Sequence, residues 1–133
     1  MREYPTHLFV YGTLMVPEVL RRLLGSTLRM EGAQLEGYSR FRVKGAVYPG
    51  IVSAGAKDIV SGAVLSGMTT AQWKTLDAYE GDEYERLMVE ARLLSGQTME
   101  AATYVYRDPL NLTDEPWDDS QVLETLGELG LGE

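Results

Sequence analysis

The apolar residues of this chain come in short runs closed by glycine, proline or a polar turn. That punctuation limits it to a fold of short elements joined by tight connections. His7-Leu8-Phe9-Val10-Tyr11 reads as a strand buried on both faces, because β-branched and aromatic residues dominate it. Gly12-Thr13-Leu14 breaks the run, and Pro17 stands where a first helical turn begins, with Gly25 just past Leu24. Residues 31–43 alternate polar with larger side chains, as in a strand bent at Gly32 or Gly37. Tyr48-Pro49-Gly50 carries a turn signal. Ile51-Val52 and residues 59–65 read as two more strands, joined through a turn at 55–58.

Residues 68–81 differ. Thr69 followed three residues later by Gln72 forms a capping-box pattern, Trp73 and Leu76 recur at helical spacing, and Gly81 is a natural stop. Residues 84–94 and 100–107 read as an antiparallel strand pair, Pro109 and Pro116 bracket a loop, and a last helix is expected over 118–129. Strands outnumber helices, so the expected class is α+β, with an antiparallel or mixed sheet able to curl into a barrel. A length of 133 residues fits one compact domain spanning 1–133.

Composition narrows the chemistry. With no cysteine and one histidine, thiol nucleophiles and His/Cys metal clusters are excluded, and no cofactor is expected. There is no glycine-rich dinucleotide fingerprint and no phosphate-binding P-loop. Twenty acidic against twelve basic residues give a net charge of −8. That balance argues against nucleic acid and membrane surfaces as partners. The first residues lack a signal-peptide pattern, and no apolar stretch is long enough to span a bilayer, so a cytoplasmic location is expected. Carboxylate, hydroxyl and backbone groups remain.

Two segments can carry chemistry. In Tyr11-Gly12-Thr13-Leu14 a glycine after a buried strand lets the backbone approach a ligand, and the amides of Gly12 to Met15 near a helix start could hold an anion. An ordinary strand-to-helix turn explains the same residues. In Leu76-Asp77-Ala78-Tyr79-Glu80-Gly81-Asp82-Glu83-Tyr84-Glu85, acids gather at a helix C-terminus, where the macrodipole and mutual repulsion raise a carboxylate's pKa. Trp73, Leu76 and Glu80 stand at i, i+3 and i+7, which puts Glu80 on the apolar face unless the helix ends first and the side chain swings into water. Asp77 falls off that stripe and is expected to face solvent or cap local backbone. Tyr11, Tyr38, Tyr48, Tyr79 and Tyr84 could position a substrate or serve as core residues with a polar tip. Arg86 and Arg107 could anchor a carboxylate or form surface ion pairs.

Phe9-Val10-Tyr11-Gly12-Thr13-Leu14, the 44–51 stretch KGAVYPGI, Leu76-Asp77-Ala78-Tyr79-Glu80-Gly81 with Tyr84-Glu85-Arg86, and Ala102-Thr103-Tyr104-Val105-Tyr106 occur in this order. Together they resemble the γ-glutamylcyclotransferase-like superfamily, in particular its AIG2-like and γ-glutamylamine cyclotransferase branches. The resemblance implies a compact mixed β-barrel with flanking short helices. It also implies a loop, Tyr11 to Leu14, that binds the substrate carboxylate through backbone N–H groups, with Tyr48 and Tyr84 as further substrate contacts. Glu80 is then the general acid and base, and the partner is a small γ-glutamyl amine or peptide closed to 5-oxoproline without metal or cofactor. Thr13 matches the amine-type branch, where the glutathione-metabolising branch carries serine followed by asparagine. The alternative function is a non-catalytic small-ligand binding or stress-response module on the same fold.

Overall fold

The computed structural model describes residues 4–25, 28–46 and 48–116. Strand β1 (His7–Val10) leads through a 3-10 turn (Thr13–Met15) into helix α1 (Pro17–Leu24). Pro17 occupies the first turn of α1 and Gly25, at φ 81°, closes it, the asymmetry the sequence displays. There follow β2 (Arg29–Glu36), β3 (Tyr38–Val43), β4 (Pro49–Ser53), β5 (Ile59–Ser66), α2 (Thr70–Glu80), β6 (Tyr84–Leu93), β7 (Thr98–Tyr106) and β8 (Leu112–Pro116). The helix expected over 118–129 lies outside the described residues.

Five strands close a barrel in the order β1-β5-β2-β6-β7, and β4-β3-β8 form a separate three-stranded sheet. The closing contact between β1 and β7 is parallel, at Leu8 opposite Ala102. The other neighbouring strands run antiparallel. The expected α+β class and mixed barrel are therefore what the chain adopts. Alternating residues of β1 feed two cores: Leu8 and Val10 pack with α1, α2 and Tyr104, while Phe9 packs inside the barrel with Leu35, Val64 and Ala101. A strand buried on both faces has to be apolar throughout, which accounts for its continuous run.

Three expectations need correction. Residues 31–43 are two strands in different sheets, separated at Gly37, whose φ of 86° suits glycine and breaks the ladder. Pro49 and Gly50 are paired residues of β4, opposite Arg42 and Phe41. The proline is tolerated there because β4 is an edge strand, paired only with β3. The loop expected between Pro109 and Pro116 contains β8, which pairs with β3. No helix among the described residues is long and apolar enough to cross a membrane.

Candidate active site

The phase of α2 is set at its first turn. Thr69 Oγ1 accepts the Gln72 N–H at 3.1 Å and Gln72 Oε1 accepts the Thr69 N–H at 2.9 Å, the reciprocal capping box. From that start Trp73 and Leu76 turn into the core, at 1% and 0% exposure. Glu80 follows on the same stripe as the last residue of the helix. There the packed core gives way to a cavity of about 270 Å³ between β1, the start of β4, the end of α2 and the start of β6. Of the residues singled out in the sequence, Tyr11, Gly12, Leu14, Tyr48, Tyr84 and Glu80 all line it. The Thr13 side chain lies outside the described part of the chain.

One end of the cavity is the turn after β1. Of the amides expected there, Met15 N–H is already donated to the Gly12 carbonyl at 3.0 Å, which restricts an anion-holding role to Gly12, Thr13 and Leu14. Arg40 braces the turn, its Nη1 donating to the Tyr11 carbonyl at 2.5 Å. Gly12 is required by close approach: a Cβ there would stand 2.8 Å from Pro49 Cγ, on the opposite cavity wall.

The other end is acidic. The Glu80 carboxyl accepts no hydrogen bond from a described residue. Its pKa is pushed up to about 8, first by burial, then by the charges of Glu83 and Asp77. Part of the Glu80 surface remains accessible, because it opens onto the cavity. Protein nonetheless surrounds the carboxyl closely enough for desolvation to outweigh the neighbouring charges.

Asp77 does not face solvent unpaired, contrary to the expectation. It accepts the Tyr104 hydroxyl at 2.6 Å and Arg86 Nη1 at 3.0 Å. The Arg86 guanidinium lies 4.9 Å from the centroid of Tyr4 and 5.2 Å from that of Trp73, whose rings stack on each other. Arg86 is thus held by an ion pair and two aromatic faces. Arg107 Nε donates to the Tyr84 carbonyl at 3.1 Å. Neither arginine lines the cavity.

The cavity's phenols divide by use. The Tyr11 hydroxyl donates to the Tyr104 carbonyl at 2.5 Å, and the Tyr84 hydroxyl to the Pro49 carbonyl at 2.7 Å. Both hydroxyls tie the wall together, and burial raises both phenol pKa values far above the usual range. Tyr48 donates to Glu83 at 3.2 Å, and its pKa is pushed up to about 12 by burial and then by the Glu83 charge. Glu83, Tyr79 and Tyr104 also line the cavity. Sequence reasoning left Glu83 without a role and passed over Tyr104. Only the Glu80–Glu83 spacing around a one-turn bend could have flagged Glu83. His7 sits beside Thr6 Oγ1 at 3.0 Å, away from the cavity. No group of three or more His, Asp or Glu side chains among the described residues could hold a metal ion.

Fold and cavity together define a small α+β barrel protein with a carboxyl facing a glycine turn. A family profile described as "Gamma-glutamyl cyclotransferase, AIG2-like" matches residues 8–122. The chain belongs to that family. It is 42% identical to AIG2-like protein C of Arabidopsis thaliana over 102 residues, which are 76% of this chain and 59% of that protein. It is 36% identical to Protein AIG2 A of the same plant over 120 residues, 87% of this chain and 69% of the relative. The chain thus spans about three fifths of the length of relatives such as AIG2-like protein C. An Arabidopsis thaliana protein solved in solution superposes with a TM-score of 0.74 at 30% identity, over 98% of this chain and 79% of that one. A structure titled gamma-glutamyl cyclotransferase superposes at 0.71 with 18% identity, over 96% and 82%. At that identity it shares the fold.

Proposed function

We propose that this chain is a γ-glutamyl cyclotransferase that converts a γ-glutamyl amine or peptide to 5-oxoproline and a free amine. The observation that carries the reading is the buried Glu80 carboxyl, unpartnered among the described residues and opening onto the same cavity as the Gly12–Leu14 turn. The family match supports it.

The turn's amides take the substrate's α-carboxylate, fixing one end of the glutamyl group. Its α-ammonium gives a proton to the Glu80 carboxylate, and the freed amine attacks its own γ-carbonyl carbon. A carbon–nitrogen bond closes the five-membered ring. The amide carbon–nitrogen bond then breaks as Glu80 returns the proton to the leaving amine, and the ring nitrogen gives up its second proton, which the departing amine takes as it becomes an ammonium. Nucleophile and electrophile share one molecule, so orientation replaces capture of a second reactant. A pKa near 8 suits a group that must both take and return a proton near neutral pH. The proton-accepting form is the ionised one, so kcat/KM is expected to rise with pH through about 8.

The experiment is 5-oxoproline formation from a panel of γ-glutamyl amino acids and γ-glutamyl amines, wild type against Glu80→Gln. The reading predicts product with the wild type and almost none with the variant. Equal rates for the two proteins across the panel contradict it. A ligand-binding module without turnover would instead be stabilised by such compounds in both proteins and yield no product.

A further inference from the structure

We propose that Arg40 is a positioning residue: from behind the cavity wall it aims and polarises the Gly12 N–H toward the substrate's α-carboxylate. It thereby sets how strongly the site prefers an acid over a neutral group at that end of the substrate. This deepens the cyclotransferase reading and rests on its placement of the carboxylate at the Gly12–Leu14 turn.

The Tyr11 carbonyl and the Gly12 N–H are the two ends of one peptide unit. No peptide among the described residues is cis, and across a planar trans unit the C=O and N–H point in opposite directions. Arg40, on β3, donates through Nη1 to the Tyr11 oxygen at 2.5 Å and to the Ser61 oxygen of β5 at 3.3 Å. Tyr11 and Gly12 line the cavity and Arg40 does not. With its oxygen fixed on the outer side, the unit presents its N–H on the cavity side.

This unit needs holding. Position 12 has to be glycine because a Cβ would stand 2.8 Å from Pro49 Cγ, yet a residue without a Cβ resists a flip of the preceding peptide only weakly. Flipped, the unit would meet an incoming carboxylate with its own carbonyl oxygen. The guanidinium opposes the flip, since the Tyr11 oxygen would have to leave a charge-assisted hydrogen bond. The same bond draws electron density toward that oxygen and makes the N–H at the other end a stronger donor. The charge itself is felt at the wall: burial and then Glu80 raise the Tyr11 phenol's pKa, and Arg40 acts against them. A carboxylate on the turn gains from the orientation, the stronger donor and the charge. A neutral carboxamide gains little from the last two.

5-Oxoproline and its neutral amide, 5-oxoprolinamide, test this without turnover. By calorimetry the wild type should bind the acid about tenfold more tightly than the amide, the scale of a hydrogen bond to a charged group. Arg40→Met keeps the apolar stem and removes the charge and the donors, so it should bring that ratio close to one. Arg40→Lys, which keeps a cation and a donor, should retain most of it. A role confined to packing would weaken both ligands alike and leave the ratio in Arg40→Met unchanged. That result, or a wild type that binds the acid no better than the amide, overturns the proposal. With a γ-glutamyl substrate, Arg40→Met should raise KM about tenfold and change kcat little, because the turn is occupied before and during ring closure alike. A loss confined to kcat, with KM unchanged, also overturns it while leaving the cyclotransferase reading intact. Absence of 5-oxoproline from wild-type assays, with the acid preference present and lost in Arg40→Met, sinks that reading and keeps Arg40 behind a carboxylate-binding turn.

Discussion

Asp77 and Glu80 are carboxylic acids three residues apart on one helix, and the fold treats them in opposite ways. Asp77 looks toward β6 and β7 and is met by Arg86 and the Tyr104 hydroxyl. Glu80 looks toward β1 and β4 and is met by no described partner. Burial is costly for both charges. At Asp77 the cost is offset by an opposite charge and a short hydrogen bond, and at Glu80 it is expressed as a pKa raised to about 8. A carboxylate compensated by its own protein is structural. One left uncompensated is available to a ligand and its proton.

The largest effect expected from breaking this contrast is on turnover. Glu80→Gln should lower 5-oxoproline formation by about 10²–10⁴-fold, the span of a lost general acid–base, whereas Asp77→Asn should keep measurable activity. The reverse ranking, read in steady-state assays, would assign the chemistry to the wrong acid.

Next comes stability against pH. The folded-state pKa of Glu80 lies above its ordinary value of 4.5, so between about 4.5 and 8 the folded chain holds a proton the unfolded chain has released. This group's contribution to stability therefore falls as pH rises through that window, by something on the order of 5 kcal/mol. Glu80→Gln should remove the fall, and urea titrations of both proteins at several pH values would show it. Parallel profiles would mean that Glu80 is not strained by burial.

A smaller loss is expected from Arg86→Ala. It strips Asp77 of its counter-charge and the Tyr4–Trp73 pair of its cation, at a site partly open to water. About 1–3 kcal/mol in urea unfolding is the scale, and a variant as stable as wild type would show that the ion pair does not compensate Asp77. The smallest effect is a direction. Because the Asp77 charge raises the Glu80 pKa, Asp77→Asn should move the acidic limb of the pH–rate profile to lower pH. Movement to higher pH would contradict the electrostatic account.

Local signals narrowed Glu80 to two positions, the core face of α2 or water beyond its end, and the structure keeps it in the helix. The Thr69–Gln72 capping box fixes where α2 starts, and helical spacing from Trp73 and Leu76 then carries Glu80 to the core face. The turn after β1 was legible because a wholly apolar strand ends at a glycine. What surrounds these residues was not legible, since its partners are distant in sequence. Asp77 meets Tyr104 from 27 residues away, and Glu83 meets Tyr48 and Tyr106 from 35 and 23 residues away. Nothing local to an acid announces a phenol on another strand. Pro49-Gly50 misled for a related reason, since a turn and an edge strand favour the same residues and only the pairing with β3 separates them. At Gly37 the alternation continues across the break, so the period alone hides a change of sheet.

The central claim is that the Glu80 carboxyl is held protonated near neutral pH inside the cavity. It is tested most directly by following its side-chain carbon resonance by NMR across pH, in the wild type and in Glu83→Gln. A midpoint near 8, moving lower when the Glu83 charge is removed, is the predicted result. A midpoint near the ordinary 4.5, unmoved by the substitution, would contradict it.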